Sequence, residues 1–260
     1  MKRLLFATAV FLLLLFLVVA AYRAFPTHVY DGFESTRLSW MRWSRYRFVP
    51  GAVVMQQAIV RSGRRAAAIT VHQGDCYEEG TDGNASTERA ELMESWWLFS
   101  RTGRKYIYSF SLYLPNDFPQ TSQRLVLAQW KELCEAPHCR SGNPVLAIRY
   151  TDGRLQVTRH DTAGKSVLYQ SVEDVRGRWL DFRFAIRFDA SGEGNIAATL
   201  NGQEIVRYRG PTVYRPGGGY PSHGFVYFKT GLYRDALREA PWTIYVDEYR
   251  KDQCSSEDCQ

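Results

Sequence analysis

The sequence predicts an all-β fold, a two-sheet sandwich or jelly roll. Three observations carry this. After an apolar N-terminal run, no long segment repeats apolar residues at helical spacing, and short runs alternate with a period of two. Turn sequences fall between those runs. Aromatic residues, which favour strands, make up 14% of the 260 residues. About a dozen strands with short turns suit a sandwich. A chain of this length that is 45% hydrophobic can bury the core of one such domain.

The elements follow in order. Lys2 and Arg3 precede a run, Leu4 to Ala21, that is apolar but for Thr8. It lies at the lower edge of a membrane span and exceeds the usual core of a secretory signal. Val19-x-Ala21 offers a cleavage site. One N-terminal apolar helix is expected, with residues 1–25 as signal peptide or membrane anchor (through residues 4–21) and 26–260 as the working domain. Basic residues before the run keep the N-terminus inside. The domain is therefore expected to be exported: periplasmic, secreted or anchored with the domain outside.

Strands are expected at 66–72, 89–99, 106–114, 125–131, 145–150, 154–159, 182–188, 196–200, 203–208, 224–229 and 242–250. In two of them the alternation is explicit: Tyr106, Tyr108, Phe110, Leu112 and Leu114, then Phe182, Phe184, Ile186 and Phe188. Thr151-Asp152-Gly153 and Asn201-Gly202 are hairpin signals. Pro216-Gly217-Gly218-Gly219 reads as a flexible loop ahead of 224–229.

The formal net charge is +6, or +4 without Lys2 and Arg3. A modestly basic surface attracts polyanions. No nucleic-acid motif or Lys/Arg block is present, so nucleic acid is not expected as a partner. Cys134 and Cys139 bracket four residues, as do Cys254 and Cys259. Each pair can close a short disulfide loop in an oxidising compartment, leaving Cys76 reduced. Two-residue CxxC spacing and a Cys/His cluster are missing, so neither metal nor cofactor is expected.

Polar side chains recur on one face of otherwise apolar strands. Arg89 and Glu91 share a side, Gln129 and Lys131 share a side, and Lys229 shares a side with Tyr227. Such a face suggests a lined groove. The competing structural reading is a solvated face with ordinary Arg–Glu pairing.

Three segments then carry a resemblance. Arg89-Ala90-Glu91-Leu92, Gln129-Trp130-Lys131 and Lys229-Thr230-Gly231-Leu232-Tyr233 resemble, in order, the Arg-x-Glu-Leu, Gln-x-His and Lys-x-Gly-x-Tyr segments of jelly-roll polysaccharide lyases. The similarity is to the heparin lyase I-like family and the related alginate and glucuronan lyases. It implies a concanavalin A-like jelly roll, an acidic polysaccharide as partner, and cleavage of a uronic-acid polymer by β-elimination. It also implies catalytic roles for Tyr233, Lys229, Arg89 and Gln129. Lys131, Arg234, Glu91, Tyr227 and His223 are expected at the substrate, with Glu91 holding Arg89. Asp31-Gly32-Phe33-Glu34 and Asp247-Glu248 also look like this jelly roll and read as structural.

The chemistry suits these residue types. The C5 proton of a uronate becomes removable when Arg and Gln donors stabilise the developing dianion, as an oxyanion hole does. A Tyr can take that proton or protonate the leaving oxygen. A free phenol titrates near ~10, so it needs positive charge nearby to act as a base. Lys229 and Arg234 are the expected sources. The chain departs from the family at Lys131, where the relatives carry His. Tyr233 is therefore expected to be the proton-transfer residue, with His223 the foremost alternative, ahead of His72, His138 and His160. A non-catalytic carbohydrate-binding jelly roll at the cell surface is the other class of function. The missing His favours it; retention of both Lys229 and Tyr233 argues against it. A glycoside hydrolase would need two placed carboxylates, and no Glu-x-Asp-x-x-Glu segment is present.

Overall fold

The computed structural model describes residues 8, 10–12, 14, 28–44, 48–75, 87–133, 143–215, 224–236 and 241–254. Within the N-terminal run the described residues are helical. Among the described residues no helix is long and apolar enough to cross a membrane.

From residue 28 onward the protein is all-β, two antiparallel eight-stranded sheets packed as a sandwich. The back sheet runs β14 (Gln203–Arg209), β13 (Asn195–Leu200), β12 (Trp179–Arg187), β7 (Lys105–Tyr113), β16 (Trp242–Gln253), β4 (Ala66–Val71) and β3 (Val53–Gln56), with β1 (His28–Asp31) on β16. The front sheet runs β11 (Gly164–Gln170), β10 (Arg154–Asp161), β9 (Leu146–Thr151), β8 (Leu125–Glu132), β15 (Phe225–Asp235), β5 (Thr87–Glu94) and β2 (Trp43–Ser44), with β6 (Ser100–Arg101) on β15. Both expected hairpins form. Asp152-Gly153 and Asn201-Gly202 hold positive φ at both turn residues, as tight hairpin turns require.

The alternating residues meet between the sheets. Phe110 and Tyr108 on β7 stand opposite Phe182 and Phe184 on β12, a cross-strand aromatic ladder. Trp130 and Phe228 come from the front sheet, with ring centroids 4.8 Å (Trp130–Phe184) and 5.0 Å (Phe110–Phe228) apart. Such pairs add about 0.5–1.5 kcal/mol each beyond area burial.

Two ion pairs lie inside this core. Arg234 donates to Glu88 at 2.7 Å and stacks 4.3 Å from the Trp242 ring. Lys251 donates to Glu94 at 2.9 Å, and Glu94 also accepts from the Tyr249 hydroxyl and the Phe228 N–H. Burial pushes Lys251 down from its usual range, against the pull of Glu94.

Most expected strands shift by one to three residues at an end, and two shift further. The 89–99 run ends as a strand at Glu94 and continues into a 3-10 turn, Trp96–Leu98. The 224–229 run extends to Asp235, so the whole Lys-x-Gly-x-Tyr segment lies inside one strand. β1, β2, β3, β6 and β11 are additional. Asp31 accepts from Phe33 N–H and Trp43 Nε1, and Asp247 from the Arg61 and Ser62 N–H groups, so both acidic spots are structural.

Candidate active site

β15 lies between β5 and β8 at the middle of the front sheet, and this order brings the three sequence segments together. Ala90, Leu92, Trp130, Phe228 and Leu232 point into the core. The alternate residues Arg89, Glu91, Gln129, Lys131, Tyr227, Lys229 and Tyr233 therefore share the outer face.

Cross-strand pairing arranges that face in rows. Lys229 stands opposite Met93 on β5 and Gln129 on β8. Four residues on, Tyr233 stands opposite Arg89 and Val126, and Val126 opposite Arg149 on β9. Gly231 separates the rows and has φ +141°. A Cβ there would meet the Ala90 carbonyl oxygen at 2.2 Å, so β15 and β5 can pair this closely only with glycine between Lys229 and Tyr233. The pairing with β8 also shifts register between Thr230 and Tyr233. This is the physical content of the Lys-x-Gly-x-Tyr spacing.

The first row centres on Glu91. Gln129 Nε2 donates to its Oε1, and Lys229 Nζ to its Oε2 at 3.3 Å. All three side chains are buried although they face away from the core. Burial pushes the Glu91 carboxyl up, but Lys229, Arg89 and the two hydrogen bonds outweigh it and hold it below its usual value. Glu91 is thus a fixed anion that orders Lys229 and Gln129.

The second row centres on Tyr233, which is part-buried. The Arg89 guanidinium lies 4.5 Å from its ring centroid and that of Arg124 lies 5.0 Å away. Arg124 is itself held by Asp235, 2.6 Å away. Arg149 also interacts electrostatically with Tyr233; burial and then Arg124 push its guanidinium down from its usual range.

The structure reassigns three expectations. Arg234, expected at the substrate, faces the core and is wholly buried against Glu88 and Trp242, because residues 228, 230, 232 and 234 form the inward side of β15. Lys229, expected as the charge beside Tyr233, is engaged by Glu91 and sits about 13 Å along the strand at ~3.3 Å per residue. Arg89 and Arg124 are the cations against the Tyr233 ring instead. Glu91, expected to hold Arg89, bonds Gln129 and Lys229 and reaches Arg89 only through its charge. Lys131 pairs with Tyr227, and Tyr227 stacks on Phe99 at 5.1 Å.

Arg124 and Arg149 were missed in the sequence. Arg149 alternates with Ile148 and Tyr150 in a strand that was anticipated, so face parity alone would have found it. Arg124 precedes its strand and carries no such signal. His72 is tied to Asp75 at 3.1 Å, and His160 lies 3.1 Å from the Tyr214 hydroxyl. His138, His223 and the 216–219 loop lie outside the described residues, as do Cys76, Cys134, Cys139 and Cys259.

Comparison with known proteins agrees with the two-sheet fold. The chain is similar to an endo-β-1,4-glucuronan lyase from the fungus Trichoderma reesei, with TM-score 0.64 and 15% identity over 87% of this chain and 95% of that one. It is similar to AlgAT5, an alginate lyase of polysaccharide lyase family 7, with TM-score 0.55 and 14% identity over 83% and 95%. It is also similar to a GH131 β-glucanase catalytic domain from Podospora anserina, with TM-score 0.57 and 15% identity over 86% and 91%. No curated protein sequence matches. At these identities the neighbours establish the jelly-roll fold. The family model for polysaccharide lyases matches residues 32–250, most of the chain, and on that match the protein belongs to the polysaccharide lyase family.

Proposed function

We propose that the protein is an exported lyase that cleaves a uronic-acid polysaccharide by β-elimination. The observation that carries this reading is Tyr233 set against two guanidiniums, Arg89 and Arg124, beside the fixed Glu91–Lys229–Gln129 group. Arg89 pairs with the uronate carboxylate and stabilises the dianion that forms as C5 loses its proton. Tyr233, with the Arg89 and Arg124 guanidiniums over its ring, takes that proton. The electron pair forms the C4–C5 double bond as the C4–O bond breaks, and the same hydroxyl returns a proton to the leaving oxygen. Lys229 and Gln129 act through Glu91, whose charge steadies Arg89. Tyr227 and Lys131 form the far end of the face.

The leader at 1–25, as signal or anchor, supports an exported domain, and short disulfide loops at Cys134–Cys139 and Cys254–Cys259 suit that compartment. The finer kinship with the heparin lyase I-like group rests on the three segments. Lys131 in place of His favours one second reading, a carbohydrate-binding protein without turnover.

Purified protein mixed with a panel of uronic-acid polymers separates these. A lyase produces chains with a new C4–C5 double bond and a rise in ultraviolet absorbance. Shortened chains without that absorbance would mean hydrolysis, and binding without product would mean the non-catalytic reading.

A further inference from the structure

One end of the sandwich carries an apolar patch that the proposed reaction does not use. Trp40 and Met41, on the turn before β2, and Trp96, on the 3-10 turn after β5, are 58%, 52% and 67% exposed. The other five Trp are buried or part-buried. The exposed rings gather around Trp97, with centroids 6.2 Å (Trp40–Trp97) and 5.5 Å (Trp96–Trp97) apart. Hydrogen bonds hold the group in place. Trp97 Nε1 donates to the Met41 carbonyl at 2.8 Å, the Ser95 hydroxyl to the Trp40 carbonyl at 2.9 Å, and the Ser95 N–H to the Arg42 carbonyl at 2.9 Å. Large apolar side chains are thus fixed in an outward position, the mark of an interaction surface. Along β5 the patch lies beyond Glu94, about 16 Å from Arg89 and the Tyr233 row at ~3.3 Å per residue.

Two observations point to its occupant. Segments 35–44 and 95–104, which build the patch, hold Arg37, Arg42, Arg101 and Arg104 and no acid. Arg37 and Arg104 are exposed. Exposed Trp in basic segments matches an anionic lipid surface, where indoles sit at headgroup level and basic groups meet phosphates. The path of the chain agrees. Six residues, 22–27, separate the apolar run from β1 and reach at most about 20 Å. β1 ends at Asp31, whose carboxylate accepts from Trp43 Nε1 at 2.8 Å, three residues after Trp40. The strand that leads in from the apolar run therefore ends beside the patch. A sugar polymer fits less well. The indoles meet edge to face, at 88° and 76°, and offer no flat platform for pyranose rings.

We propose that Trp40, Met41 and Trp96 dock the domain on an anionic lipid bilayer. The rings and the thioether enter the interface, and Arg37 and Arg104 meet the headgroup phosphates. Docking gives the sandwich a fixed orientation on the membrane that residues 4–21 reach, with the Tyr233 row standing clear of it. The inference rests on the leader acting as an anchor for which membrane is met. Lipid binding by the patch is a separate claim and is tested without turnover.

The full chain is reconstituted into phosphatidylcholine vesicles, with and without phosphatidylglycerol, whose acyl chains carry bromine. Bromine quenches Trp fluorescence only at close range. Residues 1–27 hold no Trp, so the leader is silent and the signal reports the folded domain. Met41→Asp keeps every Trp, and the pair Arg37→Gln with Arg104→Gln is a milder change. Circular dichroism checks folding. The unaltered protein should be quenched, more strongly with phosphatidylglycerol and less at high salt. Met41→Asp should lose most of the quenching, and the double Gln variant should lose its dependence on phosphatidylglycerol. Absence of quenching in the unaltered protein, or undiminished quenching in Met41→Asp, overturns the proposal. So does an unquenched protein whose self-association or polymer retention is lost in Met41→Asp, which would assign the patch to a second copy or to a glycan. A protein quenched through the patch that cleaves none of the polymer panel keeps the docking surface and overturns the lyase reading. An unquenched protein that cleaves does the reverse.

Discussion

Strand β5 sends its charges in two directions, and the two sets behave differently. Glu88 and Glu94 point inward and meet Arg234 and Lys251 between the sheets. Arg89 and Glu91 point outward, where Glu91 meets Lys229. Inside, each carboxylate is matched by one cation and capped by aromatic rings or further donors, so charge closes on itself. Outside, Glu91 and Asp235 are set against Arg89, Arg124, Arg149 and Lys229. The inner pairs hold the two sheets in one register. Among the described residues named here, the outer set holds more cations than carboxylates. The same residue types thus close the core on one side and line an open sheet face on the other, and parity along a strand decides which.

This contrast can be broken at either side. The largest effect is expected at Glu94→Ala, which leaves Lys251 buried without its carboxylate; the loss should be about 3–5 kcal/mol, measured by urea denaturation. Glu91→Gln, which keeps an acceptor oxygen for Gln129 and Lys229, should lose less stability than Glu94→Ala and far more activity. Equal destabilisation by the two would erase the distinction between the faces.

Next is Tyr233→Phe. The initial rate of unsaturated-product formation should fall roughly a hundredfold or more, with polymer retention intact, since only the hydroxyl is gone. Arg89→Ala should impair binding and rate together. A nearly active Phe variant would place proton transfer elsewhere, with His223 the next residue to test.

Gly231→Ala drives a Cβ toward the Ala90 carbonyl and strains the backbone. About 1–3 kcal/mol of stability should be lost, with a lower rate as Lys229 and Tyr233 shift apart; a fully active, equally stable variant would show that the close approach is not needed.

The smallest effect concerns Glu132. Its carboxyl is pushed up by burial from 4.5 to about 7, against the pull of the Tyr214 N–H that it accepts. The folded state therefore keeps a proton that the unfolded chain has released between these values, and stability from this group falls as pH rises through that window. Glu132→Gln keeps the acceptor and removes the charge. It should flatten the decline, gaining on the order of 1–2 kcal/mol at pH 8 relative to pH 4.5. Thermal melts across that range are the readout; an unchanged slope would exclude Glu132 as the source.

Much of the fold was legible because strands buried on one face must alternate. The runs at 106–114 and 182–188 are β7 and β12, and Asn201-Gly202 and Asp152-Gly153 close the hairpins that their turn chemistry demands. The strands that escaped notice lack this signal. β2 and β6 are two residues long, β3 is a short edge, and β11 is an edge strand whose Gly164-Lys165-Ser166 start is as polar as a loop.

Sequence by itself determined which residues face together on one strand: Arg89 with Glu91, Gln129 with Lys131, Lys229 with Tyr233. Local pleating sets this, and no partner strand is needed. Only the tertiary structure decided which strands are neighbours and what each face meets. The order β5, β15, β8, β9 put Tyr233 between Arg89 and Arg124 and brought Arg149 to the same face, across separations that no local pattern encodes. It also turned Arg234 inward to Glu88, although it is the residue next to Tyr233. Side-chain periodicity is a property of one strand, whereas charge pairing depends on which strands pack together, and that is settled by burial of the whole core.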